Sequence, residues 1–226
     1  MMAAPDPLLI DWPPLLRSER LVLRPPRAGD GAALSAAVTQ SIAELKPWLP
    51  WAQKAPTAGE AELTCRQMAA RFAQRTDLPL LIFERARDGD CGRLLGGSGL
   101  HRIDWSVPRF EIGYWRRSGE QGRGVISEAV RVLARFAFDQ LGARRVEIRM
   151  SSDNRRSRAV AERCGFTLEG VLRQDSLDVR GRPRDTVVYA RVRGAEEPVL
   201  GGAATKPRRR IKTAGSSAAK TRRPHR

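Results

Sequence analysis

The chain has 226 residues, 41% of them hydrophobic, and a formal net charge of +16, which is enough apolar sequence for one full-sized core and a pull toward polyanions. Its three cysteines, Cys65, Cys91 and Cys164, stand at no metal-ligand spacing, so neither a disulfide framework nor a zinc site is expected. With no run of about 18 apolar residues and no basic segment ahead of an apolar one in "MMAAPDPLLIDWPPLL", the reading excludes a bilayer span and a signal peptide and expects a cytoplasmic protein.

The charge is unevenly placed. Residues 206–226 supply nine of the positive charges and no acidic residue, leaving +7 on the rest. So few apolar groups cannot offset the entropy of ordering, and 194–226 reads as a disordered basic tail. Such a tail suits phosphate polyanions such as RNA or the ribosome; a merely solubilising extension explains it equally well.

In chain order, residues 1–18 read as an N-terminal extension and 19–193 as one domain. "ERLVLRPPR" (19–27) alternates apolar and polar residues and stops at two prolines, as a strand does. Asp30 stands where a helix N-cap belongs, ahead of "GAALSAAV". "LKPWLPW" (45–51) reads as a loop, and the spacing of Ala61, Cys65, Met68 and Phe72 predicts a helix over about 59–75. Two strand-like runs, "LPLLIFERA" and "RLLGGSGLHRI", flank the turn "RDGDCG". The strand "RFEIGYW" (109–115) follows, and then the glycine-rich turn.

After that turn, Val125, Ala129, Val132, Leu133 and Phe136 share one helical face, and Gly142 ends the helix. "RRVEIRM" (144–150) is a strand. In "NRRSRAVAERCG" Asn154 reads as N-cap and Gly165 as the terminal glycine. "FTLEGVL" and "DTVVYARV" close the series. Mixed strands and helices in this order imply an α+β domain around one sheet.

The turn "QGRGV" is too short for a Walker loop, and Ser127 breaks a dinucleotide pattern at its third glycine. What remains is a set of backbone N–H groups at a helix N-terminus, which favours an anion such as a diphosphate. Taken alone, the glycines are better explained as turn-makers.

The order of motifs adds to this. "EIGYW" followed by Q-G-x-G-x-x-S resembles the coenzyme A motif of the GNAT N-acetyltransferase superfamily. "N-x-x-S-x-A-V-A-x-x-x-G-F-T-L-E-G" (154–170), "DTVVYARV", "ERLVLRPPR" and "WLPW" resemble its RimJ/RimL branch, which acetylates protein N-termini. The resemblance spans about 19–193. It departs at Ile126, where the commonest form has a small residue. It implies a mixed, mostly antiparallel twisted sheet of about seven strands flanked by helices. That sheet is splayed between the fourth and fifth strands, "RFEIGYW" and "RRVEIRM". Acetyl-CoA is implied as co-substrate, with no metal.

By the same resemblance, the backbone of Gln121, Gly122, Arg123, Gly124, Val125 and Ile126 holds the diphosphate, and Asn154 hydrogen-bonds the pantetheine arm. A backbone N–H at Tyr114 meets the oxyanion, and Ser157 protonates the leaving thiolate. On local spacing alone, Ser157 is equally a hydroxyl serving its own helix turn. Trp48 and Trp51 would wall the acceptor slot, or fill space as large aromatics do. The branch's glutamate, nineteen residues beyond the serine, is replaced by Ser176 with Asp175 before it. Both are kept as acceptor-side candidates. The base is left open among Glu111, His101 and Asp104, while Tyr189 and Asp185 read as support for the sheet and site wall.

An α-amino group with a pKa of about 8 is partly neutral in the cell, whereas a lysine at about 10.4 needs more help. Modest base assistance therefore suits an N-terminal or small-molecule amine better than a lysine, and the resemblance implies a protein N-terminus. A small-molecule amine (antibiotic, amino sugar or polyamine) is the alternative, and a catalytically silent ribosome- or nucleic-acid-binding module the third reading. A monomer and a homodimer are both compatible with the sequence.

Overall fold

Eight strands form one sheet in the order β1-β2-β3-β4-β5-β6-β8-β7 in the computed structural model, which describes residues 6–13 and 15–195. The strands are β1 (Leu16–Arg17), β2 (Leu21–Arg24), β3 (Leu78–Arg85), β4 (Cys91–Asp104), β5 (Arg109–Arg116), β6 (Arg145–Ser151), β7 (Thr167–Leu177) and β8 (Pro183–Val192). The helices are α1 (Gly31–Leu45), α2 (Ala58–Ala73), α3 (Val125–Asp139) and α4 (Arg155–Arg163). The seven strands and four helices read from the sequence are all present. The eighth strand, β1, is two residues long and too short to show an alternation. The tail beyond Ala195 lies outside the described residues.

Every adjacent pair is antiparallel except β5 and β6. That parallel pair is registered only from Arg109–Glu111 to Arg145–Glu147, although β5 continues to Arg116 and β6 to Ser151. Beyond Glu111 no ladder pair joins the two strands, which is the expected splay. It leaves the far half of β5 with backbone groups that a ligand can take up, since such groups need partners.

Alternation along β5 sends its side chains to opposite faces. Phe110 and Ile112 enter the larger core cluster with α3, α4, Val146, Ile148 and Tyr189, and Tyr114 packs against it. Trp115 packs on the other face against a smaller cluster, in which Leu34, Val38, Ala61 and Cys65 meet Val22 and Leu81. Fully burying a side chain such as Leu133 contributes about 1.5–3 kcal/mol, so the apolar stripe of α3 is a principal anchor of the first core. Trp12 reaches that core too, with its ring centroid 5.0 Å from that of Phe72 and 4.4 Å from that of Phe136.

One expectation about helix ends is corrected. Asp30 precedes α1 but makes no capping bond. Its carboxylate instead takes two bonds of 2.7 Å from the Arg24 guanidinium, with both residues buried. Burial raises its pKa and the Arg24 bond opposes that, with the net shift downward. The carboxylate capping the start of α1 comes from α2: Glu62 accepts the N–H groups of Gly29 and Gly31. A buried charge draws its opposite more strongly than a helix end does, and Arg24 arrives from a strand that local spacing cannot connect to the cap.

Other ends follow expectation. Thr57 and Glu60 form a reciprocal capping box at α2. Asn154 caps α4 by accepting the Ser157 N–H at 3.0 Å, and Gly165 after it adopts a left-handed φ of 76°.

Candidate active site

The turn between β5 and α3 contains Gly119, Gly122 and Gly124, with φ of 92°, 75° and 72°. Side chains avoid that region, so glycine is what permits the loop to fold back into a helix start. Gly124 is the N-cap of α3 and offers no side-chain bond to the first turn. The leading N–H groups of α3 thus have neither a helical nor a side-chain partner, and the helix dipole makes that end attractive to anions.

The loop's side chains are engaged with the protein. Gln121 donates to Glu44 at 2.6 Å and accepts the Gly119 N–H at 2.8 Å. Arg123 turns to the buried carboxylate of Glu120, which also pairs with Arg93. Arg20 donates to the Arg123 carbonyl and pairs with Glu128 in the first turn of α3. Only the backbone of 121–126 is left to meet a ligand. Ile126 is 8% exposed and packed in the main core, so its bulk points inward and leaves the loop backbone accessible.

From this loop a cavity of about 1170 Å³ runs to the splayed strands, reaching Tyr114, Asn154 and Ser157. The Tyr114 side chain crosses the gap between β5 and α4. Its hydroxyl lies 2.8 Å from the Ser157 hydroxyl oxygen and donates to the Ser157 carbonyl at 3.2 Å. Burial pushes the Tyr114 phenol pKa well up, so it keeps its proton throughout the working pH range. Asn154 spends its side-chain oxygen on the helix cap, while its amide nitrogen has no hydrogen bond among the described residues.

The base candidates separate clearly. Glu111 is the last residue of β5 registered with β6, opposite Glu147, and it faces His101 on β4. Its Oε2 is buried without a hydrogen-bond partner. Burial raises its pKa; Arg102, at 3.7 Å, opposes this and Glu147 adds to it. His101 is taken up by Asp77, with 2.6 Å between Nδ1 and Oδ1. Asp104 accepts the Ser106 hydroxyl and N–H in its own turn, which lowers its pKa. Asp175 pairs with Arg149 at 3.2 Å and Ser176 accepts from Arg184 at 2.9 Å, both within β7 and its neighbours. Neither of those two lines either large cavity, whereas the adjoining Gln174 does.

Trp48 lines this cavity and a second one. Trp51 is 55% exposed and meets Trp115 edge-on at 6.1 Å. Tyr189, buried itself, donates to the exposed Glu162 of α4 at 2.7 Å, and Asp185 accepts the Gln174 N–H. Two participants carried no signal in the sequence. Glu44, near the end of α1, gathers Arg116, Ser118 and Gln121 at 2.6–2.9 Å. The Tyr114 hydroxyl was hidden because the strand pattern cannot say which helix a side chain will meet.

A family model described as "Acetyltransferase (GNAT) domain" matches residues 20–167. The chain belongs to the GNAT acetyltransferase family. This GNAT protein is 34% identical over 173 residues to the putative ribosomal N-acetyltransferase YdaF of Bacillus subtilis, covering 76% of this chain and 91% of that one. Among solved structures it is similar to RimL, a ribosomal L7/L12 α-N-protein acetyltransferase in complex with coenzyme A. The TM-score is 0.71 at 27% identity, over 79% of this chain and 97% of that one. It is also similar to Mycobacterium smegmatis RimJ in complex with CoA-disulfide, with a TM-score of 0.67 at 27% identity, over 76% and 82% of the two chains. Among the described residues no helix is long and apolar enough to cross a membrane, and no cluster of candidate metal ligands occurs.

Proposed function

We propose that this acetyltransferase takes acetyl-CoA as donor and acetylates the N-terminal α-amino group of a polypeptide of the ribosomal-protein type, in the cytoplasm. The observation that carries the reading is a single cavity joining the uncapped start of α3 to the Tyr114–Ser157 pair at the splay. One end is built for an anion and the other for proton transfer. Relatives whose names specify ribosomal-protein acetylation support the choice of acceptor.

The residues present fit a diphosphate. The backbone of 121–126 offers N–H groups, and a Cβ added at Gly122 would meet nothing within 4 Å, so the approach is open. The free β5 backbone beyond Glu111 and the Asn154 amide would align the pantetheine arm. In the transfer step the neutral amine attacks the thioester carbonyl, with the Tyr114 backbone N–H meeting the oxyanion. As the carbon–sulfur bond breaks, Ser157 gives its hydroxyl proton to the thiolate. Glu111 takes the proton the amine loses, directly or through one water, and burial, which raises its pKa, strengthens it as a base. A proton from solvent then restores the Ser157 hydroxyl as Glu111 returns its own to water. Glu111 and the Tyr114 side chain leave opposite faces of β5, so base and acid approach the reacting carbon from opposite sides.

Calorimetric titration with acetyl-CoA tests the donor, and no binding at high micromolar coenzyme would overturn it. Thiol release with N-terminal peptides tests the acceptor. Turnover only with amino sugars, polyamines or other small amines would overturn the polypeptide reading.

A further inference from the structure

The second cavity, about 920 Å³, shares Trp48 with the first and is otherwise separate from it. Its walls are the end of α1, the link from β6 to α4, and the hairpin of β7 and β8. Three cations line it without a carboxylate partner among the described residues: Lys46 on the first wall, and Arg180 and Arg184 on the hairpin. Arg184 spends one N–H on the Ser176 hydroxyl, while Arg182 is neutralised by Asp178 at 2.9 Å. Asp178 is further consumed by the N–H groups of Arg180 and Arg182.

Of the remaining carboxylates in the lining, that of Asp185 is taken up by the Gln174 N–H of β7 at 2.9 Å. Asp153, which has no side-chain partner among the described residues, directly precedes the Asn154 and Ser157 segment. The carbonyl of Asp185 accepts the Ser152 N–H at 3.0 Å, which holds the start of β8 against the same link. The lining therefore carries charges of both signs. One uncommitted carboxylate, Asp153, adjoins the Asn154 segment in sequence, and three uncommitted cations stand at the end of α1 and on the hairpin.

We propose that this cavity receives the first residues of an acidic polypeptide. Asp153 draws the terminal ammonium toward Trp48, and Lys46, Arg180 and Arg184 meet carboxylates carried two to four residues further on. This rests on the polypeptide-acceptor reading above and names its substrate class. An extended chain advances roughly 3.4 Å per residue, so a space of this size takes about three residues beyond the amine. Opposite charges arranged along one path fix direction as well as partner, because a basic segment would set like charges against the hairpin.

The test uses hexapeptides beginning Ser-Ala, with Asp, Asn or Lys at positions three to five, and reads thiol release. The Asp peptide is expected to exceed the Lys peptide in kcat/KM by tenfold or more, with Asn between. The double variant Lys46→Glu/Arg180→Glu should invert that order while calorimetry shows acetyl-CoA binding unchanged. Equal kcat/KM for the three peptides, or an order that survives the charge reversal, overturns the proposal and leaves the polypeptide reading standing. Free aspartate outpacing every peptide, or release from none of them by protein that binds acetyl-CoA, overturns both.

Discussion

The two cavities that meet at Trp48 are built from different materials. The donor side is made of backbone: three left-handed glycines, an uncapped helix start and a strand released from its ladder. The second cavity, the proposed acceptor side, is made of side chains, chiefly arginines on a hairpin and a lysine after a helix. Backbone geometry is set by a few residues with strict conformational demands, whereas a cluster of side chains can change member by member without disturbing the fold. A family can therefore keep one donor and vary the acceptor.

Substitutions can break or sharpen this contrast, starting with the largest effect. Ser157→Ala is expected to lower kcat about 100-fold, the low end of general-acid contributions, with the acetyl-CoA Kd unchanged by calorimetry. Tyr114→Phe should lower kcat about tenfold, in line with loss of one hydrogen bond to Ser157. In the double variant the two losses should not multiply, because Tyr114 acts through Ser157. Multiplying losses would place the tyrosine hydroxyl outside the proton path.

Gly124→Ala should weaken acetyl-CoA binding about tenfold, since a left-handed φ costs a side chain roughly 1–2 kcal/mol. Peptide KM should stay where it was. On the other side, Trp51→Ala should raise peptide KM about threefold to tenfold, the worth of an aromatic contact, and leave acetyl-CoA binding intact. An effect of Trp51→Ala on the coenzyme, or of Gly124→Ala on the peptide alone, would erase the division of labour.

Glu111 gives the subtlest test, read through pH. With its pKa raised by burial, kcat/KM should fall as pH drops through that raised value, above the range of an ordinary carboxylate, and Glu111→Gln should abolish this acid limb. The same shift has a stability consequence. A group that binds its proton more tightly when folded contributes stability below its unfolded pKa, and that contribution is lost as pH rises through the folded value. Glu111→Gln should therefore raise Tm more at pH 8 than at pH 5, measured by thermal scans.

Much of the scaffold was legible because its signals are local. Apolar spacing from Val125 to Phe136 placed α3, and Asn154 and Gly165 marked α4. The same locality explains the misses. Asp30 looked like a helix cap until Arg24 arrived from the neighbouring strand. β1 has no pattern to read in two residues. β7 runs to Leu177, five residues beyond "FTLEGVL", through a register shift between Leu172 and Ser176 that no alternation announces.

The sequence by itself determined the order of elements, the turn that suits a diphosphate and the presence of Ser157 and Glu111. Each rests on interactions among residues a few positions apart. Tertiary structure alone decided that the Tyr114 hydroxyl meets Ser157 and that Glu111 keeps a buried oxygen without a hydrogen bond while His101 is claimed by Asp77. It also brought Lys46 and Arg180 to face one cavity. Those facts depend on which strands and helices lie side by side, and long-range packing leaves no mark on the spacing of residues along the chain.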